Sequence, residues 1–288
     1  MRVLITGAVG QLGSAMVSEF SRGHDVLPLT IEDLDLTRHA DVLARVGRER
    51  PDAIINCAAY TDVDAAEDHP VAALEVNAFA VRSLAAAARE AGATLVHYST
   101  DFVFDGTADR PYTEEDPPEP ESFYAISKLL GEWFAVDAGR HLVLRVESLF
   151  GGLTEDAPAR RSSVDKIIDE IRDGREARVF VDRTVTPSYI VDVAAATRFL
   201  LERGAPFGLY HCVNSGTCTW FELAQEVARG LQVHARLLAV PVAEVPMRAA
   251  RPKYCALSNA KLAAAGFAMP FWQDALARYL RAGSRHPT

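Results

Sequence analysis

Short, fully apolar runs alternate with longer stretches whose apolar residues recur every three to four positions. RVLIT (2–6) reads as a buried strand and QLGSAMVSEFSR (11–22) as the amphipathic helix after it. DVLPL (25–29) reads as a second strand, and AIIN (53–56), preceded by Pro51-Asp52, as a third. The Ala-rich stretch 71–92 predicts a long helix closed by Gly92, followed by a strand over 94–99, a helix over 127–136 and a strand over 141–146. Strands that are apolar throughout, separated by helices, imply a parallel sheet covered on both faces.

The pattern changes after Gly151-Gly152. Residues 153–163 are polar and predict a mobile loop. A helix over 164–173, a strand around Val179–Val181 and an amphipathic helix over 190–204 follow, with shorter segments at 208–214 and 220–230. The acidic, Pro-rich stretch 114–122 reads as a surface loop. The expected architecture is α/β: a doubly wound parallel sheet (Rossmann) with a smaller C-terminal α/β substrate-binding lobe. Residues 1–150 plus about 186–204 would form the dinucleotide-binding domain. The lobe would take about 151–185 and 205–288.

Composition narrows the class. Of 288 residues, 49% are hydrophobic and 24% charged, which suits a soluble globular enzyme. The net charge of -9 argues against nucleic acid as a partner, although local Arg residues and helix N-termini can still hold a small anion. The four cysteines form no CxxC and the eight histidines no HExxH, so neither a disulfide framework nor a zinc site is expected. MRVLITGAVG lacks the layout of a signal peptide, and no stretch approaches about 18 uncharged apolar residues. The expectation is a cytoplasmic protein without a membrane span.

Candidate chemistry begins at Gly7-Ala8-Val9-Gly10-Gln11-Leu12-Gly13, between the first strand and the first helix. Glycines there permit a tight turn and let backbone N–H groups approach a pyrophosphate at a helix N-terminus. An acid at the end of the second strand would accept from a ribose 2′-hydroxyl, but Thr30 stands there, with Glu32 and Asp33 further on. That favours NADP(H), with NAD(H) as the alternative. Asp35 and Leu36 could reach the adenine or cap the next helix. Cys57-Ala58-Ala59-Tyr60, at the end of the third strand, leave room for ribose and pyrophosphate. Asp64-Ala65-Ala66-Glu67 looks like a capping box with two structural acids.

YAISK places Tyr124 and Lys128 four residues apart, on one face of a helix. A free tyrosine has a pKa near ~10, and a neighbouring ammonium would lower it. A drop of roughly three units requires about 4 kcal/mol of differential stabilisation. With eight Tyr and four Lys in the chain, about 0.1 such pairs are expected by accident. Ser99-Thr100-Asp101 end the strand over 94–99, where ligands of open parallel sheets bind. The Thr100 hydroxyl there can hydrogen-bond a substrate carbonyl oxygen beside Tyr124, while Asp101 could touch substrate or orient backbone.

These blocks carry a resemblance. GAVGQLG, NCAAYTDVDAAE, HYSTDFVFDG, YAISK, VTPSYIVDVA, GLYHCVNSGTCTW and RPKYCALSNAKL occur in the order seen in the dTDP-4-dehydrorhamnose reductase family, within the extended short-chain dehydrogenases/reductases. The resemblance implies hydride transfer from NAD(P)H to C4 of a dTDP-4-keto-6-deoxy sugar. It assigns Thr100, Tyr124 and Lys128 as catalytic, with Lys128 also on the nicotinamide ribose, and Asn77 and Ser99 at the cofactor. Thr61, Val63, Asp101, Phe102, Ser148, Arg251 and Lys253 would approach the nucleotide sugar. One run departs: the family usually reads Arg-Thr-Ser-Trp-Val-Tyr-Gly where this chain has Arg145-Val146-Glu147-Ser148-Leu149-Phe150-Gly151. Ser148 in place of an aromatic leaves the identity of the sugar open, a related dTDP-4-keto deoxysugar included. The fold also resembles the non-catalytic regulatory subunit of methionine adenosyltransferase, and the intact Thr/Tyr/Lys set separates the two readings.

Overall fold

In the computed structural model, residues 1–152 and 162–283 are described. Five strands alternate with helices in the first half: β1 (Arg2–Thr6), β2 (Asp25–Leu29), β3 (Ala53–Asn56), β4 (Thr94–Thr100) and β5 (His141–Val146). The short strands β6 (Leu149–Phe150), β7 (Glu176–Phe180), β8 (Thr184–Val185) and β9 (Ser188–Tyr189) come next, then β10 (Gly208–His211), β11 (Cys218–Thr219) and β12 (Arg236–Val240). The main sheet has six parallel strands in the order β10-β5-β4-β3-β1-β2. The chain leaves β1 towards β2 and returns to its other side as β3. That reversal opens a crevice at the carboxyl ends of β1 and β3, where such sheets bind ligands. β10 was expected in the smaller lobe; pairing with β5 places it at the edge of the main sheet instead. Its sequence is too short to reveal which sheet it joins.

Helices α1 (Gln11–Phe20) and α8 (Ile190–Arg203) cover one face, packing Met16, Phe20, Val193 and Leu200 against β1 and β5. On the other face lie α2 (His39–Glu49), α3 (Val63–Asp68), α4 (Pro70–Leu74), α5 (Ala80–Ala91) and α6 (Phe123–Val136). Val42, Val46, Leu84 and Ala88 are buried there. Four alanines of α5 are buried, and their small side chains let the helix lie close to the sheet. The smaller lobe is built from α7 (Ser163–Arg172), α9 (Trp220–Leu231) and α11 (Trp272–Gly283) with β7 and β12, whereas α10 (Ala260–Ala264), expected in the lobe, packs Leu262 into the main-sheet core beside β10. Its core joins Ile168, Val179, Leu223 and Leu276 to the stacked rings of Phe150 and Tyr189, 5.3 Å apart.

Differences from the sequence pattern have local causes. The helix predicted over 127–136 starts at Phe123, because the Ser122 hydroxyl accepts from Ala125 N–H and caps it. The helix predicted over 71–92 is interrupted by a π-helical turn at Glu75–Phe79. The continuous helical run Pro70–Ala91 is long and apolar enough to cross a membrane by length and composition, contrary to the sequence expectation, yet more than half of its apolar window is buried inside the protein. Most of the loop predicted over 153–163 lies outside the described residues; Ser162 and Ser163 cap and begin α7.

Candidate active site

The glycine loop is shaped by close backbone approach. Gly7 has φ +63°, and a Cβ there would lie 2.7 Å from Ala58 N, so only glycine lets this loop pass the end of β3. A Cβ on Gly13 would come within 2.0 Å of the Gly7 carbonyl oxygen, so α1 sits directly on the loop. Gly10 precedes α1 in an extended conformation without a side-chain cap. The first-turn N–H groups of Gln11, Leu12 and Gly13 therefore face the crevice end of the sheet, with the helix dipole behind them. Gln11 also reaches across to donate to the Gly151 carbonyl at 2.9 Å.

At the end of β2, the Thr30 N–H and hydroxyl both donate to Asp33, each at 2.8 Å. These bonds hold the Asp33 carboxyl below its usual range. Asp35 accepts from the Thr37 N–H and hydroxyl in a local turn; it does not cap the next helix, because the N-cap of α2 is Arg38 and no side chain caps it. Leu36, proposed beside the adenine, is instead buried in the core under α2 and α5.

The end of β3 is positioned by buried amides. Asn56 accepts from the Thr6 hydroxyl at 2.7 Å and faces His97 Nδ1 at 3.2 Å, tying β1, β3 and β4 together. Asn77, on the π-helical turn, accepts from Tyr60 N–H and donates to both the Tyr60 carbonyl and the Ser127 hydroxyl. Its amide is thus spent on the protein. The residue fixes the Cys57–Tyr60 strip and α6 rather than reaching outward to a cofactor. The capping-box reading of Asp64–Glu67 also changes. The cap of α3 is Asp62, which accepts from Ala65 N–H. Asp64 pairs with Arg251 at 3.0 Å and accepts from Ala249 N–H, and Glu67 accepts from Phe123 N–H at the start of α6.

Tyr124 lies in the first turn of α6 and Lys128 one turn on. The Lys128 ammonium, almost wholly buried, donates to the Tyr98 carbonyl at 2.5 Å. Burial lowers its pKa to about 8, although Glu132 and Cys57 favour its charge. Burial, with the Asp101 carboxylate nearby, raises Tyr124 to about 12, and the hydrogen bond with Thr100 only partly offsets this. The expected depression of Tyr124 by Lys128 is therefore absent: the ammonium is bound to backbone, and desolvation dominates. Thr100 donates to Asp101 Oδ1 at 2.9 Å, and the buried Ser99 hydroxyl has no hydrogen-bond partner among the described residues.

On the substrate side, the Phe102 ring meets Tyr124 edge-on at 5.8 Å, with Arg183 5.3 Å and Arg251 5.9 Å from its centroid. Lys253 points away, 62% exposed and 3.7 Å from Asp182. Thr61 is exposed, and Val63 opens α3 beside it. Ser148 holds φ +43°, a left-handed conformation unusual outside glycine, and its carbonyl accepts from Ser188 N–H. Sequence reasoning missed Arg183 and Glu147. Both are charged residues bordering apolar runs, a signal that becomes visible only once burial is known.

Known proteins resemble this chain over nearly its whole length. The family model described as RmlD substrate binding domain matches residues 1–284. The chain is 38% identical over 292 residues to a dTDP-4-dehydrorhamnose reductase of Mycobacterium tuberculosis, covering 98% of this chain and 93% of that one. It is 36% identical over 281 residues to a probable dTDP-4,6-dihydroxy-2-methyloxan-3-one 4-ketoreductase of Streptomyces antibioticus, covering 96% and 91%. The crystal structure of dTDP-4-dehydrorhamnose reductase from Bacillus anthracis in complex with NADP superposes with a TM-score of 0.92 at 34% identity, covering 98% of this chain and 99% of that one. The glycine loop, the Thr100–Tyr124–Lys128 set and a match over nearly every residue make this chain a member of the dTDP-4-dehydrorhamnose reductase family.

Proposed function

We propose that this protein reduces the C4 ketone of a dTDP-linked 4-keto-6-deoxy sugar, with dTDP-4-dehydro-L-rhamnose as substrate and dTDP-L-rhamnose as product. The observation that carries the reading is the Thr100–Tyr124 hydroxyl pair at the end of β4, one helical turn from the buried Lys128. The residues fit a dinucleotide: the glycine loop leaves no room for a Cβ, and α1 begins without a side-chain cap. The nicotinamide cofactor supplies the hydride when bound. Gln11, Leu12 and Gly13 N–H groups would hold its pyrophosphate and Lys128 its ribose. Tyr124, kept protonated at neutral pH by burial, gives its proton to the ketone oxygen. Thr100 and Tyr124 hydrogen-bond that oxygen as charge develops on it.

Thr30 stands where an acid would accept from the ribose, and its bonds engage the Asp33 carboxyl, which supports NADPH over NADH. Oxidation of each cofactor in the presence of dTDP-4-dehydro-L-rhamnose, with the product identified by NMR, tests both statements. No turnover of this sugar, or a clear preference for NADH, would overturn the corresponding one. A related dTDP-4-keto deoxysugar is the second reading, favoured by Ser148 at the place of an aromatic. The relatives are named as reductases, so the non-catalytic regulatory reading is not favoured.

A further inference from the structure

Behind Thr100 lies a group of side chains that the reduction itself does not use. Asp101 and Glu147 are both buried, and a carboxylate oxygen of each lies with Cys255 Sγ in a cluster whose members are all within 4.8 Å of one another. Glu147 Oε2 accepts from the N–H of Thr186 at 2.8 Å and from its hydroxyl. Glu147 Oε1 and Asp101 Oδ2 are buried with no hydrogen-bond partner among the described residues. The cation facing them, Arg183, is turned to the Pro252 carbonyl and to Cys255 Sγ. Cys218 and Tyr254, the other titratable neighbours of Glu147, are neutral.

Two ionised carboxylates opposite one guanidinium would leave a net negative charge in a dry site. One proton makes the cluster neutral, and on Glu147 Oε1 it gives that orphaned oxygen a hydrogen to share with the neighbouring Asp101 carboxylate. Burial pushes both carboxyls up, Glu147 the further, because Arg183 and Thr100 favour the charged form of Asp101. Glu147 stands in the run that departs from the family pattern.

We propose that Asp101 and Glu147 hold one shared proton, and that it returns to Tyr124 through the Thr100 hydroxyl after each turnover. This rests on Tyr124 being the proton donor. Thr100 donates to Asp101 Oδ1 at 2.9 Å, and its hydroxyl lies near enough to Tyr124 to favour the phenolate. When the Tyr124 O–H bond breaks and the product O–H forms, a phenolate remains. The Glu147 proton moves to Asp101 Oδ2, the Asp101 carboxyl turns to present it to Thr100, and Thr100 takes that proton as it gives its own to the phenolate. Glu147 and Asp101 then face Arg183 as two carboxylates until solvent returns one proton as the product leaves. Neither acid touches the substrate oxygen; both act through Thr100.

Stopped-flow reduction of dTDP-4-dehydro-L-rhamnose by NADPH tests this in wild type and Glu147→Gln. The glutamine can still accept from Thr186 and donate to Asp101. In Glu147→Gln the first turnover should proceed at the wild-type rate, because Tyr124 starts protonated, and later turnovers should slow roughly tenfold or more. The trace would show a burst of one equivalent per site. Slowing of the first and later turnovers alike would mean a merely structural role, and unchanged steady-state rates in a folded variant would also overturn the proposal. Infrared spectroscopy of the wild type should show a protonated-carboxyl stretch at neutral pH that Glu147→Gln removes; absence of that band from the wild type would overturn it too. A wild type that never turns over would instead refute the reductase reading.

Discussion

At the scale of single residues, burial decides the chemistry more than the Tyr–Lys spacing does. Tyr124→Phe removes the proposed proton donor and leaves Lys128 and the glycine loop in place. It should lower kcat roughly 10²- to 10⁴-fold while calorimetry finds the NADPH Kd within about twofold of wild type. Near-wild-type turnover would place the donor elsewhere. Lys128 is the opposite case, a charge held in the protein at a cost. Its pKa is about 8 in the folded state against an ordinary 10.5, so unfolding takes up a proton between those values. Stability on this account rises with pH across that window, by at most about 1.4 kcal/mol for each pH unit crossed, and is lowest below it. Lys128→Met should therefore raise Tm at pH 7, with a gain that shrinks above pH 8, while NADPH binding falls. A lower Tm at pH 7 would show that the bond to the Tyr98 carbonyl outweighs desolvation. The Tyr and Lys themselves were legible in the sequence. The direction in which the Tyr124 pKa moves was not, because spacing along a helix does not reveal that Lys128 turns to the backbone of β4.

At the scale of elements, backbone approach sets what the site can tolerate. Gly13→Ala would put a Cβ 2.0 Å from the Gly7 carbonyl, so α1 must lift off the loop that it supports. We expect Gly13→Ala to weaken NADPH binding and lower Tm together, measured by calorimetry and thermal unfolding. Gly47, within α2, is the control: a Cβ there meets nothing within 4 Å. Gly47→Ala should stabilise the protein by about 0.5–1 kcal/mol in urea unfolding, through helix propensity alone, without touching catalysis. The apolar runs located the first five strands to within a residue: β1, β3, β4 and β5 are buried on both faces and carry the strongest pattern, while β2, part-exposed at the sheet edge, is apolar enough to be found as well. The edge strand β10 and the π-helical turn escaped. Four residues do not say which sheet they join, and the turn exists because Asn77 reaches two partners far along the chain, Tyr60 and Ser127.

At the scale of the whole molecule, buried ionisable groups give folding a pH dependence. Glu147 has a folded pKa well above its ordinary 4.5, so folding takes up a proton there. Its contribution is intact at pH values below the ordinary glutamate pKa and is lost as pH rises towards the folded value. His97 and His211, buried with lowered pKa values, act in the opposite sense and lose stability as pH falls through about 6.5. The comparison of Glu147→Gln with wild type cancels the histidines. The variant should gain stability relative to wild type as pH rises from 4.5 to 8, by Tm at each pH, and a flat difference would mean that Glu147 ionises normally. The six-residue helix α3 spans the molecule in another way, with Asp64 holding the 249–251 loop of the smaller lobe and Glu67 the first residue of α6. The 249–251 loop, proposed to meet the nucleotide sugar, and the start of α6, which carries Tyr124, thus share one strut. A chimera that imports the 249–253 loop from another reductase would receive it detached, with Arg251 or its replacement facing an unmatched anion. Helix and loop form a single cassette, and a test of the loop's proposed part in sugar choice has to transplant both.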